Sequence, residues 1–228
     1  MNRDHLEGRV GLLAGMELIT QTAYHEAGHA AAIYLRNRHH NLPQIGFRIF
    51  LQGLKHSIHL DNSHMPAGNR AYLAKLDGGL LVENQALSAK PHASSQAILA
   101  YQQACEADMV NLLAGPLAEA KYVAQRDGEN FNQYLVDYEA LKNYGGKSDQ
   151  EKIEEYIAGL GMPPLKKTQT LKELHRASFD FINQAHHWRA ISRLANYIVD
   201  SGKEIIDCEE AIAILEGAIE TNYCLSRC

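Results

Sequence analysis

The chain has 228 residues, 46% of them hydrophobic and 21% charged, so it can bury a sizeable core and falls outside the disordered and fibrous classes. Its 22 basic and 27 acidic residues leave a net charge of -5, which gives no electrostatic footprint for a phosphate backbone and excludes nucleic acid as the expected partner. No apolar run reaches bilayer length, and the four cysteines, Cys105, Cys208, Cys224 and Cys228, are too few and too unevenly placed for a disulfide framework.

The N-terminus mixes Arg3, Asp4, Glu7 and Arg9 ahead of a brief apolar patch, without the cationic-then-apolar order of a secretory signal. A cytoplasmic protein with no membrane insertion is the expectation. Apolar spacing predicts helices over residues 19–38, 94–115, 116–126, 130–143, 148–160, 170–201 and 207–220. Pro116 is expected to break or kink its helix, because proline lacks a donor and crowds the preceding turn. Residues 161–168, with Pro163-Pro164, read as a connector. Strand character is confined to residues 45–52, 56–60 and 80–85, with Gly53 and Gly78-Gly79 as punctuation. The expected class is α+β, predominantly α-helical, with a small sheet. It forms one domain over 1–228, with a core over 1–160 and a helical region over 161–228.

Twelve histidines stand out, since imidazole is the commonest metal ligand. The first helix contains His25-Glu26-Ala27-Gly28-His29, an H-E-x-x-H pattern. On a helix His25 and His29 share a face, so two imidazoles can reach one Zn²⁺ while Glu26 sits beside the open coordination position as general base. Such an ion lowers the pKa of water toward ~7, and a carboxylate then takes the proton as the water attacks an amide carbonyl.

The neighbours of the motif agree with this reading. Ile19, Ala23, Ala27, Ala30 and Tyr34 form one apolar stripe, leaving Thr22, His25, Glu26 and His29 on a polar strip that must find partners inside the protein. Gly28 costs about 1 kcal/mol relative to alanine within a helix and marks close approach by another backbone. A carboxylate from a downstream helix would complete three protein ligands and keep the fourth position for water.

Thr22–Leu35, TAYHEAGHAAAIYL, resembles the zinc-binding helix of the FtsH-type peptidases, whose usual form is A-x-H-E-[AS]-G-H-A. Val110–Val123, VNLLAGPLAEAKYV, resembles that family's L-L-G-G-R-x-A-E-E segment, and Tyr144–Ile157, YGGKSDQEKIEEYI, its T-G-A-x-N-D-L-x-x-A segment. Residues 191–215 echo its closing helix, turn and helix. The likeness covers most of residues 20–215, closely at the first motif and loosely elsewhere. It implies a zincin-like zinc metallopeptidase domain holding one Zn²⁺ per chain on His25, His29 and Asp149, with Glu26 catalytic. It also implies a polypeptide substrate, a homo-oligomer and, by family order, a substrate strand at Leu80, Leu81, Val82 and Glu83; the family's ATPase module is not read in this sequence, so a separate ATPase is an alternative partner.

The residues themselves leave alternatives. Ser148-Asp149-Gln150-Glu151 is also a capping box, which would account for Asp149 without a metal, and Glu119 is the alternative ligand or an acceptor behind a ligand histidine. Pro116 stands where the family usually has Arg. Gly146-Lys147-Ser148 is not a Walker A loop, because Leu141 occupies the position of the first glycine. Residues 54–76 form a longer insertion than the family's pattern and are expected to cover the site. A zinc-stabilised binding or regulatory module derived from a peptidase is the rival function. His39-His40, His56, His59, His64 and His186-His187 read as ordinary surface histidines, and Cys224 and Cys228 lack partners at zinc-ribbon spacing. Trp188, Ile191, Leu194, Ala195 and Ile198 read as a core stripe.

Overall fold

The computed structural model describes residues 9–51, 74–84 and 94–225. Helix α1 (Arg9–Ala31) passes directly into a π-helical turn, Ala32–Arg36, and a last turn, α2 (Asn37–His39). The run ends as Asn41 turns left-handed at a φ of 53°, a conformation asparagine tolerates. Strands β1 (Phe47–Phe50) and β2 (Lys75–Gly78) follow, then the single turn α3 (Leu81–Asn84) and the long α4 (Ser95–Arg126). A 3-10 stretch, Glu139–Tyr144, leads to α5 (Lys147–Gly159), α6 (Pro164–Asn183), α7 (Ala185–Asp200), β3 (Ile205–Asp207) and α8 (Cys208–Leu225).

Among the described residues helices therefore dominate, with one antiparallel sheet ordered β2-β1-β3, consistent with the expected α+β class. Helix α1 lies across α4 and α7, and α4 in turn carries α6. Asn111 bonding Asn37 near one end and Tyr122 bonding Glu17 at the other set α1 and α4 antiparallel. The predicted stripe of Ile19, Ala23, Ala27, Ala30 and Tyr34 is buried, as are Ile191, Leu194, Ala195 and Ile198 of α7. All of these but Ile19 join Met109, Leu113 and Leu117 of α4 in one core, each large side chain contributing about 1.5–3 kcal/mol by leaving water.

Sheet register decides what β2 offers at its outer edge. The Gly79 N–H donates to the Gly46 carbonyl (3.1 Å), and β1 pairs with β2 as Phe47 with Gly78, Arg48 with Asp77, Ile49 with Leu76 and Phe50 with Lys75. Hydrogen-bonded and non-bonded pairs alternate in such a ladder, so Ile49 and Leu76 form a non-bonded pair. On the other side the Leu51 N–H donates to Glu204 (2.8 Å), which by the same alternation turns the peptide groups of Ile49 toward β3. The N–H and C=O of Leu76 consequently face away from β1, toward the edge of β2 that no described strand pairs.

Several sequence expectations are corrected. Pro116 does not end its helix: α4 runs through it, and its buried ring lies where a side chain at Gly146 would stand, so packing offsets the missing hydrogen bond. Residues 130–143 are turns followed by the 3-10 stretch rather than a helix, and Tyr134 and Leu135 point outward, 81% and 74% exposed. The single helix predicted over 170–201 is two, broken at Gln184, whose ψ of 128° is extended. Part of the expected connector is helical, because Pro164 opens α6 at the position where a missing N–H costs nothing. Asp207 belongs to β3, with α8 starting one residue later. The strand predicted at 56–60 and most of the proposed covering segment lie outside the described residues.

Candidate metal centre

The crossing of α1 and α4 is close because Gly28 has no side chain. A Cβ there would stand 2.5 Å from the Ala114 carbonyl oxygen and 2.7 Å from the Ala118 Cβ. This is the close backbone approach that the mid-helix glycine predicts. At the next crossing Gly115 leaves room for the His29 ring, whose Nε2 lies 2.3 Å from where a Cβ would be. Both motif histidines are pressed against α4 as a result, and His25, Glu26 and His29 are 8%, 7% and 9% exposed.

Each ring is oriented from behind. His25 Nδ1 donates to the Glu119 carboxylate (3.1 Å) and the Tyr144 carbonyl (3.2 Å), and His29 Nδ1 donates to the Asn111 carbonyl (2.9 Å). A backbone carbonyl can only accept, so both Nδ1 atoms carry hydrogen and, in the neutral rings, both Nε2 atoms present lone pairs. Gly145, left-handed at a φ of 72°, turns the chain so that the Tyr144 carbonyl reaches His25.

Those two Nε2 atoms converge on Asp149 in the first turn of α5. His25 Nε2 is 3.3 Å from Asp149 Oδ2 and His29 Nε2 is 3.4 Å from Oδ1. The three residues are buried, and one ligand atom from each falls within 4.8 Å of the others. Among the described residues this is the group of histidine, cysteine and carboxylate side chains that could hold a metal ion. The fit is physical as well as geometric. Asp149 Oδ2 is buried with no hydrogen-bond partner, and a buried carboxylate facing two imidazole lone pairs requires a cation or protons between them. Tetrahedral ligands at 2.0–2.2 Å stand about 3.3–3.6 Å apart, a range that holds both histidine–aspartate separations.

Without an ion, protons play that part. Burial opposes a charged His25 ring, but the carboxylates of Asp149 and Glu119 outweigh it and raise the His25 pKa well above its ordinary value. Burial likewise opposes ionisation of Asp149, yet His29 and His25 hold its pKa below the usual carboxylate value. Metal uptake must displace a proton from His25.

Sequence alternatives resolve in the same geometry. Asp149 faces the histidines, while Gly146 is the residue preceding α5 and makes no side-chain cap, so the capping box is not formed. Glu119 is on the far side of the His25 ring, bonded to Nδ1 and outside the group that could hold an ion. Glu26 Oε2 accepts a 2.7 Å hydrogen bond from the Leu76 N–H at the edge of β2. Lys121 turns away: its buried Nζ donates to the Ile182 carbonyl (3.1 Å) and Asn183 Oδ1 (2.9 Å) at the end of α6, 4.7 Å from the centre of the Trp188 ring. Burial lowers its pKa to about 8.

The expected substrate strand at Leu80, Leu81, Val82 and Glu83 is corrected. Leu81, Val82 and Glu83 lie in the helical turn α3, and Leu80 precedes it. The N–H groups of Leu81 and Val82 donate to the buried Asp108 carboxylate (2.8 and 3.0 Å), which stabilises a helical first turn as an N-cap does. Asp108 was not singled out by its sequence surroundings, and neither were the Asn111 and Tyr144 carbonyls or the Leu76 amide. Backbone groups carry no residue-type signal.

No protein-family model, curated protein or solved structure matches this chain. Among the described residues no helix is long and apolar enough to cross a membrane.

Proposed function

We propose that this chain is a zinc-dependent metallopeptidase that hydrolyses peptide bonds with an activated water. The observation that carries the reading is the convergence of two oriented Nε2 atoms on a buried carboxylate with an unbonded oxygen, with Glu26 the residue next to the first of the two histidines and its charge felt at that ring. His25, His29 and Asp149 would hold the ion, and two imidazoles with one carboxylate form a donor set that Zn²⁺ favours over Mg²⁺ or Ca²⁺. When bound, Zn²⁺ supplies a Lewis acid that acidifies water toward a pKa of ~7 and polarises an amide carbonyl. Glu26 takes the proton released by the attacking water and returns it to the leaving amine. Glu119 and the Asn111 carbonyl keep the two rings in the tautomer that ligation needs. Among the described residues β2 is an edge strand, and with its Leu76 amide touching Glu26 it can accept an extended polypeptide by strand addition.

The test is the Glu26→Gln protein. It is expected to hold about one zinc per chain, as the wild type does, while no longer cleaving an unfolded protein substrate. Cleavage at the wild-type rate would refute the mechanism. A wild-type protein that binds zinc stoichiometrically and cleaves nothing across broad peptide pools would instead indicate a zinc-stabilised binding module.

A further inference from the structure

Resting on the peptidase reading, the geometry points to the backbone amide of Leu76 as the positioning group that aims Glu26. Three observations combine. Register turns the Leu76 N–H away from β1, so the ladder does not use it. That N–H donates to Glu26 Oε2 at 2.7 Å, short for an N–H···O bond and typical of a charged acceptor. Glu26 is 7% exposed, so solvent offers its carboxylate few alternative donors and this bond selects its direction.

A glutamate side chain has three rotatable bonds, and an unanchored carboxylate would sample several of their staggered states. Fixing Oε2 on a rigid strand leaves Oε1 as the oxygen for proton transfer. The same contact occupies the outward donor of Leu76. A polypeptide pairing with β2 would therefore meet an acceptor at Leu76, its carbonyl, while the matching N–H stays with Glu26. Positioning of the base and reception of the substrate are thus divided between the N–H and C=O of one residue.

Replacing Leu76 by its α-hydroxy acid converts that one amide to an ester and deletes the N–H without touching the side chain. Zinc-loaded protein assayed on an unfolded protein substrate is expected to lose roughly tenfold to hundredfold in kcat, with KM little changed, since small misplacements of a reacting group cost up to about that factor. The comparison is the same ester at Arg48 in β1, whose N–H belongs to the bonded pair with Asp77: it weakens the sheet and lowers Tm but leaves kcat near wild type.

A second readout needs neither zinc nor turnover. In the metal-free protein, Glu26→Ala should raise hydrogen exchange at the Leu76 amide by about tenfold or more while the Asp77 amide stays protected. Equal kcat losses for the two esters, full turnover in the Leu76 ester, or unchanged Leu76 exchange in Glu26→Ala would each overturn the proposal. Absence of cleavage by the wild type itself overturns the peptidase reading, and exchange then reports the contact alone.

Discussion

Replacing Gly28 by alanine sets two effects of opposite sign against each other. Alanine gains about 1 kcal/mol of helix propensity. Its Cβ, however, would stand 2.5 Å from the Ala114 carbonyl oxygen and 2.7 Å from the Ala118 Cβ. Ordinary carbon contacts begin at about 3.5 Å, so α1 and α4 must part by roughly 0.8 Å. Neither obstacle can rotate aside, because one is backbone and the other has no free dihedral. Overpacking of this kind costs about 1–3 kcal/mol. Taking the upper part of that range and subtracting the propensity gain, Gly28→Ala is expected to destabilise the metal-free protein by about 2 kcal/mol.

The site should register the same movement. The bonds from His29 to the Asn111 carbonyl (2.9 Å) and from His25 to Glu119 (3.1 Å) both cross this interface, and stretching by roughly 0.8 Å takes them past hydrogen-bond range. Zinc affinity should fall by about tenfold to hundredfold, as it does when a ligand histidine loses its supporting acceptor. Denaturant unfolding of the metal-free protein and competition with a chromogenic chelator measure the two quantities. An alanine variant at least as stable as wild type, with unaltered affinity, would show that the helices do not meet at Gly28 and would refute the packing argument.

Two other predictions follow from buried groups. Glu119→Ala is expected to weaken zinc binding by about tenfold to hundredfold without removing a ligand, read in the same chelator competition; a complete loss of binding would make Glu119 a ligand instead. For Lys121, burial lowers the native pKa to about 8 from the ordinary lysine value of 10.5, so between those pH values the unfolded chain binds more protons than the native one. Stability contributed by this residue should therefore rise from pH 8 toward pH 10.5 and be flat below 8, and the difference in unfolding free energy between wild type and Lys121→Met should follow that course.

Legibility of the fold and the centre divided along a physical line. His25, Glu26 and His29 were readable because helical spacing alone puts two imidazoles on one face, and Gly28 was readable because its propensity cost demands a packing reason. Asp149 was ambiguous, since an acid in a first helical turn has two sufficient explanations; its choice depends on how α5 meets α1, which local sequence does not encode. The break at Gln184 escaped notice because neither proline nor glycine marks it, while residues 130–143 mimicked a helix through apolar spacing that leaves Tyr134 and Leu135 exposed. Residues 80–85 carried strand-like content, yet a tertiary partner, Asp108, captured two of their amides and wound them into a turn. The α+β class and the core stripes of α1 and α7 survived, since they rest on long periodic segments.

The π-helical turn at Ala32–Arg36 separates two kinds of demand on one continuous rod. A π-turn accommodates an extra residue, and each added residue rotates everything beyond it by about 100° relative to an unbroken α-helix. Upstream of it the phase of α1 is dictated by the histidines, while downstream it is dictated by Asn37 meeting Asn111. Deleting one residue within 32–36 should reset only the downstream phase, swinging Asn37 off its amide partner while the imidazole pair stays aimed at Asp149. The turn works as a clutch between the long segment that carries the imidazoles and the short last turn, Asn37–His39, that meets α4.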